Sequence, residues 1–126
     1  MSFVNELLKA MNEWNKDTVE DEWLFARFIE QYVDTLSPSD AFQAINDISE
    51  ILTDLLDEST AVDVLQITIY LARQSKTTEV PVKLLKIKKT LINQLENMGD
   101  YAHDKLNELF KYYRIYKRGQ SEVTPV

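Results

Sequence analysis

Two glycines and three prolines are the only residues of those types in this 126-residue chain. An all-β domain of that size needs a tight turn after nearly every strand, and such turns draw heavily on Gly, Asn and Pro. The scarcity points to helices joined by few, short connections. Apolar spacing agrees. Phe3, Leu7, Leu8, Met11 and Trp14 form one stripe over about 3–15, with Ser2 placed to cap it. Asp17-Thr18-Val19-Glu20 reads as a capping box for a second helix reaching about Leu36. Its stripe is Phe25, Phe28, Ile29, Tyr32, Val33 and Leu36.

Ser37-Pro38 stops that helix and starts a third, with Ser37 as N-cap and Pro38 in the first helical position. The third helix has the cleanest period, Ala41, Ala44, Ile45, Ile48, Ile51, Leu52 and Leu55, and is predicted to end near Asp57. Thr60 with Asp63 opens the fourth, over 60–74. Val62, Val64, Ile67 and Ile69 partly alternate there as a strand would. The run through Tyr70-Leu71-Ala72-Arg73 without turn residues favours a helix buried between neighbours. Pro81 opens a fifth, with Leu84, Ile87, Leu91, Leu95 and Met98 inward and Gly99 as a left-handed terminator. Asp100 caps a sixth, carrying Ala102, Leu106, Leu109, Phe110, Tyr113 and Tyr116.

The expected class is all-α: about six helices in three αα-hairpins, as an irregular helical bundle or a short HEAT-like stack. Pro38 and Pro81 open two of the hairpins 43 positions apart, within the range of helical repeats. Residues 1–118 read as a single helical domain and 119–126 as a disordered tail.

Charge is distributed unevenly. The formal net charge is −7, yet residues 1–65 hold fifteen acids and three bases, and residues 66–126 six acids and eleven bases. From 28 to 72 there is no basic residue, against nine acids. Asp47, Glu50, Asp54 and Asp57/Glu58 recur at steps of three and four, which on one helix makes an acidic ridge opposite the apolar stripe. Like charges at that spacing each cost about 0.2–0.5 kcal/mol, so a ridge kept for stability alone would alternate with lysine. A basic partner gives the ridge a purpose, because matched fields speed association and exclude wrong partners. Such ridges also occur as plain solvated faces, and contact with the basic half of the same chain would absorb part of the charge. Trp23, beside Glu20, Asp21 and Glu22, is a candidate interface anchor.

The usual catalytic sets fail by count. There is no cysteine and one histidine, so thiolate chemistry, zinc fingers and multi-histidine metal centres are excluded. His103-Asp104 lacks the further histidines that a metal-dependent HD site needs. Neither glycine sits in a phosphate-binding loop. No metal or cofactor is expected. The segment Lys111–Arg118 interleaves bases with tyrosines as a nucleic-acid surface does, but Tyr113 and Tyr116 continue the core stripe and the chain is acidic, so no nucleic-acid partner is expected. No apolar run is long enough for a membrane span and no signal peptide is recognisable, so a cytoplasmic protein is expected.

In size, acidity, helicity and the lack of a catalytic set, most of the chain resembles small helical bacterial immunity proteins. That resemblance implies a non-catalytic, antitoxin-type inhibitor whose acidic helix face, Asp47 to Glu58, masks a basic toxin domain, often a nuclease. The alternative is a helical adaptor or scaffold that self-associates through its acidic and basic halves.

Overall fold

A computed structural model describes residues 3–16, 21–55 and 57–114, with the side chains of 13–16, 21–24 and 96 outside the description. The fold is all-α. Helix α1 is Phe3–Lys16 and α2 is Asp21–Phe28, which runs on as a π-helical segment, Ile29–Val33. Then follow α3 (Pro38–Leu52), α4 (Glu58–Ser75), α5 (Val82–Lys86), α6 (Lys88–Glu96) and α7 (Asp100–Tyr113). The expected Ser2 cap, the 17–20 capping box, Tyr116 and the 119–126 tail lie outside the described residues.

The packing partners define two layers. Helices α1, α3 and α5 pack side by side in one, and the π segment, α4 and α7 in the other. The pairs α1–α2, α3–α4 and α6–α7 join the layers as three successive αα-hairpins. Helix α4 is central. It is buried at Ala61, Val64, Leu65, Ile67, Thr68, Ile69, Leu71, Ala72 and Ser75, positions that cover rather more than half of its circumference. That accounts for its β-branched, strand-like pattern: a helix enclosed by neighbours is apolar on most sides.

Local chemistry sets several boundaries. Ser37 Oγ accepts from Asp40 N at 3.1 Å with Pro38 in the first turn, as the sequence predicts for α3. Phe28, at the end of α2, and Val33, at the end of the π segment, are both buried, five residues apart, the separation of a π-helical hydrogen bond. The Phe28 ring meets Phe3 edge-on at 5.7 Å and Tyr32 at 5.0 Å, tying α1 to this segment. Leu8, expected inward, is exposed.

Five expectations need correction. Helix α3 ends at Leu52, not near Asp57. The N-cap of α4 is Asp57, whose carboxylate accepts from Thr60 N at 3.0 Å, in place of Thr60 with Asp63. The predicted fifth helix is two helices, broken at Ile87. Gly99 is not a left-handed terminator but the residue ahead of α7, at φ 157° and ψ 169°, and Asp100 lies inside the helix rather than capping it.

The reason for Gly99 lies across the fold. Glu58, at the start of α4, reaches the first turn of α7 and accepts from Tyr101 N at 2.8 Å and Ala102 N at 3.1 Å. It does for α7 what a local N-cap side chain does elsewhere. A Cβ on residue 99 would overlap the Glu58 carboxyl group. Glu58→Ala is therefore expected to destabilise the fold by about 1–2 kcal/mol, and Gly99→Ala by about 2 kcal/mol from overlap and backbone strain. Without the carboxylate the overlap is gone, so the double variant should lose less than the sum of the singles. Urea denaturation of all four proteins checks this, and simple additivity would contradict the arrangement.

Candidate functional site

The five acids of the predicted ridge do not form one continuous helix face. Asp47 and Glu50 lie on α3, Asp54 in the turn that follows, Asp57 at the N-cap of α4 and Glu58 in its first turn. The ridge is divided because α3 stops at Leu52. Its last two members serve the fold: Asp57 caps α4, and Glu58 caps α7. Glu50 forms an ion pair with Lys83 of α5. That hydrogen bond and the Glu50 charge, with Asp47 nearby, hold the Lys83 ammonium above its usual range against a small opposing effect of desolvation. Part of the acidic charge is thus met by the basic half of the same chain.

The remainder faces outward. Asp47 is half-buried and accepts from Gln43 Nε2 at 2.9 Å. Asp40 and Asp54 are exposed and have no ion pair among the described residues. At helical spacing Asp40, Gln43, Asp47 and Glu50 lie opposite the buried Ala41, Ala44, Ile45, Ile48 and Leu52, and Asp54 continues their line. On α3, then, Asp40, Asp47 and Glu50 form an acidic outer face away from the core. Trp23 lies on α2, and its side chain is outside the described residues.

Sequence reasoning missed Asn46. Its Oδ1 accepts from Lys83 N at 3.0 Å, so a side chain of α3 satisfies the start of α5. The available signal was negative: neither α5 nor α7 has a capping side chain at its own N-cap, which are Pro81 and Gly99.

Three hydroxyls are committed to the helices that carry them. The hydroxyls of Ser49, Thr68 and Ser75 are buried and donate to the carbonyls of Ile45, Val64 and Ala72 in their own helices. His103 is on α7, with Nδ1 3.7 Å from Asp104. Among the described residues no group of three or more His, Cys, Asp or Glu side chains is placed to hold a metal ion. Two tyrosines of the basic segment are packed: Tyr112 OH donates to the carbonyls of Ala72 at 3.0 Å and Thr77 at 3.2 Å, and Tyr113 beside it is buried. Neither ring is presented for base stacking. Among the described residues, no helix is long and apolar enough to cross a membrane. No protein-family model, curated protein or solved structure matches the chain.

The two tyrosines should respond differently to loss of the hydroxyl. Tyr113 OH has no hydrogen-bond partner among the described residues, so Tyr113→Phe should be neutral or stabilise by up to about 1 kcal/mol. Tyr112→Phe removes a donor from the Ala72 and Thr77 carbonyls, the first of which keeps Ser75 Oγ, and should cost about 1 kcal/mol. Burial, with a smaller effect from Tyr112, raises the Tyr113 phenol above its usual range. The folded state keeps this proton above about pH 10, where the unfolded chain releases it. Its contribution to stability is therefore full below about pH 10 and declines as pH rises further. Urea midpoints at about pH 8 and about pH 11 should fall less for Tyr113→Phe than for the parent, and equal falls would contradict this assignment.

Proposed function

We propose that the chain is a non-catalytic protein-binding domain of the immunity or antitoxin type. It neutralises a basic toxin domain by laying the acidic outer face of α3 over that domain's cationic surface. The observation that carries this reading is the interval 28–72, which has nine acids and no base, together with the outer face of α3 that displays Asp40, Asp47 and Glu50. Lys83 neutralises one edge of the face at Glu50, while Asp40, Asp47 and Asp54 point away from the core. The binding set that fits the geometry is narrower than the ridge read from sequence: Asp57 and Glu58 drop out as caps, and Asp40 joins.

Such a face raises the association rate through its field and has an affinity that falls steeply with salt. The test begins with crosslinking in the source cell and identification of the captured protein. That protein is expected to be basic and to harm cells that express it alone. Titration calorimetry with the purified pair should show binding that weakens as salt rises. Asp47→Lys/Asp54→Lys should weaken it by about 2 kcal/mol or more, roughly 30-fold, with the helical circular dichroism unchanged. An acidic partner, or affinity indifferent to both salt and the double substitution, would overturn the reading.

A further inference from the structure

The acidic face of α3 has a neighbour of opposite character. Helix α5 lies beside α3, held by the Asn46 to Lys83 N hydrogen bond at 3.0 Å and the Lys83–Glu50 pair. With Lys83 turned to α3 and Leu84 turned to the core, α5 sends Val82, Leu85 and Lys86 outward, and Lys89 follows at the start of α6. Val82 is 64% exposed and Leu85 53%, the most exposed of the aliphatic side chains described. An acidic strip (Asp40, Asp47, Asp54) thus runs beside a strip that is basic and apolar.

We infer that this outer face of α3 and α5 is a self-complementary interface through which the chain pairs with a second copy of itself about a two-fold axis. A two-fold axis lying in the interface, between the two strips and along them, exchanges their positions. Each acidic strip then faces the partner's basic strip, twice per dimer, and the assembly closes at two copies. Any arrangement that sets acid against acid is repelled. Val82 and Leu85 supply apolar area that the isolated chain leaves in water.

The size of the face sets the strength. Helix α3, at 15 residues, is about 22 Å long. Two helices packed roughly 8–10 Å apart make a strip about 20 Å wide. That footprint is smaller than the about 800 Å² per partner of a standard interface, so the dimer is weak and depends on its charges. The inference does not rest on the toxin-binding reading, because its test uses the chain alone.

Sedimentation equilibrium of the full chain at tens to hundreds of micromolar is expected to show a monomer–dimer equilibrium at about 0.05 M salt that shifts to monomer at about 0.5 M. Lys86→Glu/Lys89→Glu and Asp47→Lys/Asp54→Lys should each be monomeric at low salt. Mixed in equal amounts they should form a dimer with one copy of each, because both strip contacts are then again between opposite charges. Leu85→Asp should weaken the parent dimer at least tenfold while leaving the circular dichroism unchanged. A parent that stays monomeric at low salt, a mixture that fails to pair, or growth past two copies, as a head-to-tail contact produces, would overturn the inference.

Discussion

The carboxylate of Glu58 in the first turn of α7 is the contact on which the rest of the arrangement turns. A helix begins with backbone N–H groups that have no partner within it, and residue 99, a glycine, offers no side chain to them. Glu58 supplies the acceptor and a negative charge at the positive end of the helix dipole. Its carboxyl group sits where a Cβ of residue 99 would be, so a side chain at 99 would push this carboxylate off the N–H groups of α7. The same device recurs. Asn46 serves the start of α5, Gln74 donates to Leu36 O at 2.7 Å after the π segment, and Tyr112 serves the end of α4. Gln94 holds the α3–α4 turn through Leu55 O at 2.8 Å.

These bonds share a sequence separation. Those just named span 37 to 44 residues, about one hairpin. Each ties a helix end to a side chain of an adjacent hairpin in the stack. The 43-residue interval between Pro38 and Pro81 is the same distance seen in sequence. Apolar burial favours hairpins packing together, and these bonds fix how far each hairpin slides along its neighbour, since a shift of one turn would strand a helix terminus.

That division explains what could be read from the chain. Features set by nearby residues were legible: the Ser37-Pro38 start of α3, its buried stripe from Ala41 to Leu52, and the helical nature of 60–74. Features set one hairpin away were not. Asp100 looks like the cap of the last helix because aspartate commonly is one, and nothing around it announces Glu58. Asp57 and Glu58 look like the end of an acidic ridge because they continue its spacing. The helix stops five residues before Asp57, and both side chains are engaged at other helix starts. The break at Ile87 likewise leaves the apolar period intact, with Leu84, Leu91 and Leu95 all buried across it.

The acidic half of the chain therefore contains two populations of carboxylate, which composition cannot separate. One population, Asp57 and Glu58, is oriented by backbone N–H groups and belongs to the architecture. The other, Asp40, Asp47 and Asp54 on the outside of the hairpin, is not needed to terminate any helix other than through the favourable place of Asp40 in the first turn of α3. Repulsion along that face is a standing cost that Lys83 relieves at only one edge. A surface that bears such a cost, on a scaffold whose hairpins are locked in register, is suited to meeting opposite charge in a fixed geometry. In both proposals, pairing with a second copy and capture of a basic partner, the same three carboxylates would carry the contact, so the two forms of binding would compete for one face.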